Sequence, residues 1–152
     1  MLTNKDYCDY DTCVALKKLG YKVPTSAYYM PHHKDLIWVS NPFRGGYVTD
    51  CFYSHNSLPK DVMTANFIDA PTLWEAQKWL REEKKMDVLI ELETKDIHLS
   101  SKYYSIYISY MSSFKREFSY ISKNFDSYED ALSEGLREAV KILKEKLNEK
   151  DI

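Results

Sequence analysis

The chain has 152 residues and a mass of 17.9 kDa, with 21 basic and 23 acidic side chains and a formal net charge of −2. An apolar fraction of 44% with only four glycines and five prolines excludes wholesale disorder. The length favours a single compact domain over residues 1–152, or two very small domains that share a core. The near balance of charge gives no global attraction to nucleic acid or anionic lipid, and no apolar run approaches the roughly 18 residues of a membrane span.

The first half, residues 1–54, is predicted to be a helix followed by an antiparallel meander. Apolar residues recur at helical spacing between Asp9 and Leu19, and Gly20 stands where it would end the helix. Three runs rich in aromatic and β-branched residues then predict strands over Ala27–Met30, Leu36–Ser40 and Tyr47–Tyr53. A polar connector, residues 55–70, leads to the second half.

The second half, residues 71–152, predicts the order α-β-β-β-α. Thr72 and Glu75 form a capping box that starts a helix ending near Lys85, and Ser127 with Asp130 starts a final helix in the same way. Between them, alternating side chains predict strands over Asp87–Glu93, Tyr103–Met111 and Arg116–Ile121. The expected class is α+β, with two α-β-β-β-like halves, antiparallel sheets and a long C-terminal helix.

Cysteine usage favours a reducing compartment. Cys8, Cys13 and Cys51 cannot all pair within one chain, so we expect reduced thiols and a cytoplasmic location. Cys8 and Cys13 could join the histidines in a zinc site, but the chain has no second ligand pair at a zinc-site spacing. The expectation is therefore that the cysteines are small buried residues and that the protein holds no metal and no cofactor.

The Trp-containing helix offers the first candidate binding residues. With Leu73 and Leu80 facing the core, Trp74, Lys78 and Arg81 share an adjacent stripe. An aromatic face beside two cations suits a small anionic, nucleotide-like ligand, through stacking and charge-assisted hydrogen bonds. The alternative is structural: a tryptophan at the edge of the core, beside cations extended into solvent.

Two turns supply further candidates. Arg44 stands beside Gly45 and Gly46, whose backbone amides could converge on an anion, although a plain hairpin turn explains both glycines equally well. His32 and His33 lie together in the turn before the second strand, where they could bind a ligand or be solvated side chains. The spacing of a phosphate-binding Walker loop is absent.

Tyrosine is the most unusual feature of the composition, with 13 in the chain. Tyr103, Tyr107 and Tyr110 belong to a predicted strand with tyrosines on both faces, so part of this aromatic surface needs a cover. Tyrosine gives large contact area and tolerates water at its hydroxyl, which predicts an interface. The cover could be the first half of the chain or a second subunit, and we expect a homo-oligomer.

Three segments, residues 7–21, 70–82 and 127–136, together resemble a family of small uncharacterised proteins encoded by phages, prophages and mobile elements of Bacteroidetes. The string APTLWEAQKWLRE, residues 70–82, is the most specific of the three. The resemblance implies phage accessory biology in the host cell and assigns no catalytic residue. Small phage accessory proteins as a group include inhibitors of host defence, some of which sequester nucleotide signals.

These features rank binding ahead of catalysis. The main hypothesis is a non-enzymatic phage accessory protein that binds a small anionic ligand or a host partner, and a protein-binding inhibitor cannot be separated from it by sequence. The order α-β-β-β-α also resembles double-stranded-RNA-binding domains, but residues 126–152 carry eight acidic and five basic side chains, which disfavours nucleic acid. A nucleotide-processing enzyme is the remaining alternative, supported only by scattered histidines.

Overall fold

The computed structural model describes residues 2–23, 25–30, 34–38, 67–94, 102–112 and 115–150. These residues fall into two compact units, Met1–Thr72 and Leu73–Ile152. Helices and two antiparallel sheets confirm the α+β class. The predicted strand Tyr47–Tyr53 lies outside the described residues.

The first unit contains a short 3-10 turn over Asn4–Asp6, helix α1 (Tyr10–Lys18) and strands β1 (Ala27–Tyr29), β2 (Leu36–Trp38) and β3 (Ile68–Asp69). The strands form an antiparallel sheet in the order β2-β1-β3. Strand β3 lies inside the segment that the sequence predicts to be a connector. A strand of two residues has no alternation to detect, which is why the pattern misses it.

Helix α1 forms where the sequence predicts a helix between Asp9 and Leu19. The Asp9 side chain accepts a 2.8 Å hydrogen bond from the backbone N–H of Thr12, which caps the N-terminus. Gly20 has φ +92°, a left-handed conformation that suits glycine just beyond the helix end. Inside the unit, Leu16, Cys8 and Cys13 are each 1% exposed and form part of its core.

The second unit contains helix α2 (Leu73–Lys84), strands β4 (Met86–Thr94), β5 (Lys102–Ser112) and β6 (Lys115–Phe125), and helix α3 (Tyr128–Lys150). The sheet is antiparallel in the order β4-β5-β6, so the predicted α-β-β-β-α order is confirmed. Strand β6 extends four residues beyond the predicted end at Ile121. The Ser127 hydroxyl accepts from the backbone N–H of Asp130, as the second capping box predicts.

Helix α3 covers one face of this sheet. Its apolar side chains Leu132, Leu136 and Ala139 are buried, whereas Leu147 is 51% exposed, so the buried contact stops before the last turns. Gly135 lies close against the sheet, since a Cβ atom there would be 2.6 Å from Val88 Cγ1 and 3.0 Å from Ile106 Cγ2. The helix therefore rests on the β4 and β5 side chains at a position with no side chain of its own.

Candidate functional site

Within the described residues, a helix covers one face of the second sheet, and several large side chains of the opposite face are exposed. Pairing of β4 with β5 places Val88 opposite Ile108 and Leu89 opposite Tyr107, and side chains alternate along each strand. Helix α3 lies on the face of Val88 and Ile108, both fully buried. We call the opposite side the outer face; it includes Leu89, Glu91, Glu93, Tyr103, Ser105, Tyr107, Met111, Arg116, Phe118 and Tyr120.

A carboxylate bound by three hydroxyl groups lies at one end of the outer face. Glu93 Oε2 accepts a 2.8 Å hydrogen bond from the Tyr103 hydroxyl. Its other oxygen, Oε1, accepts from Ser105 Oγ at 2.5 Å and from the Tyr107 hydroxyl at 3.3 Å. Ser105 is only 1% exposed, so the carboxylate also satisfies a buried hydroxyl of the central strand.

This hydrogen bonding holds Glu93 in its charged form. The donors Ser105 and Tyr103 lower the pKa of the Glu93 carboxyl, because they stabilise the anion more than the neutral acid. In turn the hydrogen bond to Glu93 raises the pKa of Tyr103, and burial raises the pKa of Tyr107. A general acid or base works best with a pKa near the working pH. The shifts move the pKa values of Glu93 and of both tyrosines away from neutral pH, so Glu93 is better suited to carrying a fixed charge than to transferring a proton.

Large apolar side chains are exposed on the rest of the outer face, alongside the charged Glu91 and Arg116. Phe118 is 71% exposed, Tyr120 51%, Met111 48% and Leu89 43%. The rings of Tyr107 and Tyr120 pack with their centroids 4.8 Å apart. A group of exposed large apolar residues beside a charged rim is typical of a binding surface.

The predicted stripe on α2 lies at the surface. Trp74 is 39% exposed, and its helix buries Leu73, Ala76, Trp79 and Leu80 on the other side. Both predicted cations have acidic neighbours: Lys78 Nζ lies 4.0 Å from Glu82 Oε1, and Arg81 Nε lies 2.8 Å from Asp87 Oδ1. An anion at this stripe would compete with these two carboxylates.

The other predicted site residues form two groups, one outside the described residues and one on strand β5. Arg44, Gly45, Gly46, His32 and His33 lie outside the described residues. Of the three predicted interface tyrosines, Tyr103 and Tyr107 lie on the outer face. Tyr110 faces the other way, where Lys146 Nζ lies 3.8 Å from its ring centroid, so helix α3 partly covers it.

Sequence reasoning missed the role of Glu93. Alternation places Glu93 on the same side of β4 as Leu89, but it gives no information on which strand residues lie beside its carboxylate. That requires the register, in which Glu93 pairs with Tyr103. Phe118 was also missed, although it shares a face with Tyr120 at a spacing of two residues.

Removing the hydroxyl donors is expected to raise the pKa of Glu93 towards its ordinary value. In a Tyr103→Phe, Ser105→Ala variant, the carboxylate loses its two shortest hydrogen bonds. The pKa of Glu93 is lower in the folded protein than in the unfolded chain, so the charged carboxylate stabilises the fold at pH values above its unfolded pKa. This stabilisation is lost as the pH falls through the pKa of Glu93 in the folded protein. The variant should therefore lose less stability on acidification than the native protein.

Carbon-detected NMR titration of the Glu93 carboxyl measures this pKa directly. A Glu91→Gln variant is the control, because it changes a neighbouring carboxylate on the same face and leaves the three hydroxyl donors in place. The control should keep the lowered pKa of Glu93. An unchanged pKa in the variant without the donors would show that the hydroxyl groups do not hold the charge.

Within the described ranges, no group of three or more His, Cys, Asp or Glu side chains is arranged to hold a metal ion. Among the helices of the same residues, none has both the length and the apolar character needed to cross a membrane. Comparison with known proteins found no match to this chain among protein-family models, curated proteins or solved structures.

Proposed function

We propose that this protein acts by binding and not by catalysis, and that the outer face of the second sheet is its binding surface. The observation that carries the proposal is the exposure of Phe118, Tyr120 and Leu89 on the same face of the sheet as the carboxylate of Glu93. Aromatic residues with a fixed charge at their edge are the composition of many protein interfaces.

The chemistry of the face indicates what it would bind. Glu91 and Glu93 supply negative charge at one end, and the neighbouring aromatic rings attract cations through their faces. A protein segment with an apolar side chain next to arginine or lysine therefore fits this end best. The resemblance to phage and mobile-element proteins supports a host protein as the partner and the host cytoplasm as the setting.

The geometry gives less support to a small anionic ligand. Among the described residues, such a ligand would use Trp74, Lys78 and Arg81, and both of these cations already lie near carboxylates of the same unit. Exposed ion pairs of this kind contribute little stability, about 0–1 kcal/mol, so a ligand could displace them. The open aromatic surface of Trp74 is the feature that keeps a nucleotide-like ligand as the second proposal.

Selection from a random peptide library on the immobilised full-length chain tests the binding surface with probes of every side-chain chemistry. We expect enriched peptides that combine an aromatic or aliphatic residue with arginine or lysine. The same peptides should bind a Phe118→Ser, Tyr120→Ser variant at least about tenfold more weakly in calorimetry, a difference of about 1.4 kcal/mol. Both side chains are exposed, so the fold should survive, which circular dichroism would check.

A Leu147→Ser variant is the matched control, because Leu147 is as exposed as Tyr120 but lies on α3. It should bind the selected peptides as the native protein does. Equal binding by all three proteins, or a library that yields no enriched peptide, would overturn the assignment of the outer face.

A further inference from the structure

Opposite charges occupy diagonal corners of the outer face. Glu93 pairs with Tyr103 at one end of β4 and β5, and Arg116 pairs with Met111 at the other end of β5 and β6. Strands β4 and β6 are the two edges of the described sheet. Tyr103 and Met111 are eight residues apart, so the two corners are separated by roughly 26 Å along the strands, at about 3.3 Å per residue.

Such a diagonal arrangement is complementary to itself. Two copies can face each other through their outer faces, related by a two-fold axis that lies between the sheets and perpendicular to this diagonal. Rotation about that axis places the negative corner of each copy opposite the positive corner of the other. Arg116 of each copy then lies over Glu91 and Glu93 of the other. The central residues Leu89 and Tyr120 of both copies are brought together between the charged corners.

This charge pattern favours a second copy over an unrelated partner. A partner with a single sign of charge would match one corner of the face and be repelled by the other. A second copy matches both corners and covers the apolar centre at the same time. The isologous contact also repeats each favourable ion pair, since both copies contribute the same patch.

The size of the apolar centre predicts a weak dimer. With side chains of about 150–250 Å² each, the exposed parts of Phe118, Tyr120, Met111 and Leu89 amount to roughly 400 Å² per copy. A standard stable interface buries about 800 Å² per partner. The charged corners and the half-buried tyrosines must supply the rest, so we expect association in the micromolar range.

We propose that a second copy of this chain covers the outer face of the free protein, with Arg116 of each copy meeting Glu91 and Glu93 of the other. The inference rests on the proposed function in taking the outer face as the binding surface. It adds that a host partner would have to compete with the second copy for the same residues.

Sedimentation velocity of the full-length chain and of two charge variants tests the arrangement. The native protein should shift from monomer to dimer as its concentration rises through the micromolar range. Glu91→Lys and Arg116→Glu should each weaken the dimer at least tenfold, because like charges then meet at both corners. An equal mixture of the two variants should recover association, since the lysine introduced in one variant then faces the glutamate introduced in the other.

Two further variants serve as matched controls. Glu83→Lys on α2 and Lys144→Glu on α3 make the same charge changes at exposed positions away from the outer face. Each should dimerise as the native protein does. A native protein that stays monomeric up to about 1 mM, or a mixture of variants that does not recover, would overturn the proposal.

The two proposals fail in different ways. Peptide binding that requires Phe118 and Tyr120 in a protein that never dimerises would keep the outer face as the binding surface and remove the second copy. Charge-dependent dimerisation in a protein that selects no peptide would keep the second copy and remove the host partner.

Discussion

Replacing Gly135 by valine is expected to destabilise the second unit by about 3 kcal/mol, the upper part of the range for overpacked cores. The backbone of α3 approaches the sheet so closely at this position that even a Cβ atom would lie 2.6 Å from Val88 Cγ1. Valine adds two methyl groups beyond that atom. The helix can accommodate them only by moving away from β4 and β5, which would open gaps around the fully buried Leu132 and Leu136.

Alanine at this position should have a smaller effect, because two contributions oppose each other. The added methyl group clashes with Val88, but alanine is favoured over glycine in a helix by about 1 kcal/mol. A Val88→Ala change removes the clashing methyl group. In the Val88→Ala background, Gly135→Ala should destabilise the protein less than in the native background, or even stabilise it. The difference between the two changes in free energy of unfolding measures the contact between position 135 and Val88.

Urea denaturation followed by circular dichroism provides these free energies of unfolding. Lys144→Val is the matched control, since it introduces the same side chain at an exposed position of the same helix. That control should lose only a few tenths of a kcal/mol, from the lower helix propensity of valine. Equal losses at positions 135 and 144 would show that the close approach of α3 does not limit the side chain at Gly135.

Periodicity predicted most of the second unit correctly, because each of its elements is long enough to repeat. The final helix shows an apolar stripe over several turns, and the three strands alternate between faces over nine or more residues. The role of Gly135 could not be predicted in the same way. A glycine inside a helix is only a weak signal, and its function depends on which sheet side chains lie beneath it.

Part of the candidate site was also predictable from the alternation of side chains along the strands. Alternation along β5 separates Tyr103 and Tyr107 from Tyr110, so a prediction that groups all three combines side chains of opposite faces. Contacts between strands depend on register, which the pattern does not provide. The hydrogen bonds of Glu93 and the ion pair between Arg81 and Asp87 are both of this kind.

The first unit shows where local signals suffice and where they fail. Asp9 and Gly20 mark the two ends of α1 because capping is a local interaction. Strand β3 instead forms through its pairing with β1, where Tyr28 lies opposite Asp69 and Tyr29 opposite Ile68. No local feature of so short a strand indicates such a distant partner.

The thiols of Cys8 and Cys13 are expected to react at least about 100-fold more slowly with dithionitrobenzoate in the folded protein than in the urea-unfolded chain. Both residues are 1% exposed, so the reagent reaches them only when the first unit opens. Burial also raises the pKa of the Cys13 thiol, and the neighbouring Cys8 reinforces the effect. The thiolate is the reactive form, so both factors slow the reaction.

A Cys51→Ser protein restricts the measurement to these two thiols, and adding Lys144→Cys to it provides an exposed reference thiol. The reference should react at the rate of an unfolded chain while Cys8 and Cys13 remain protected. Cys13 Sγ lies 3.5 Å from the carbonyl oxygen of Cys8, to which the protonated thiol donates. A thiolate would lose this bond and face the carbonyl dipole, which also disfavours a zinc-binding role for the pair.

Prompt reaction of two thiols in the folded Cys51→Ser protein would contradict this account. Slow reaction that accelerates with low concentrations of urea would support it, because the rate then follows the free energy of opening the first unit. Protection that depends on added zinc would instead indicate a metal site. We expect a chelator to leave the rate unchanged, since the hydrogen bonds and burial of the two cysteines account for their protection without a metal.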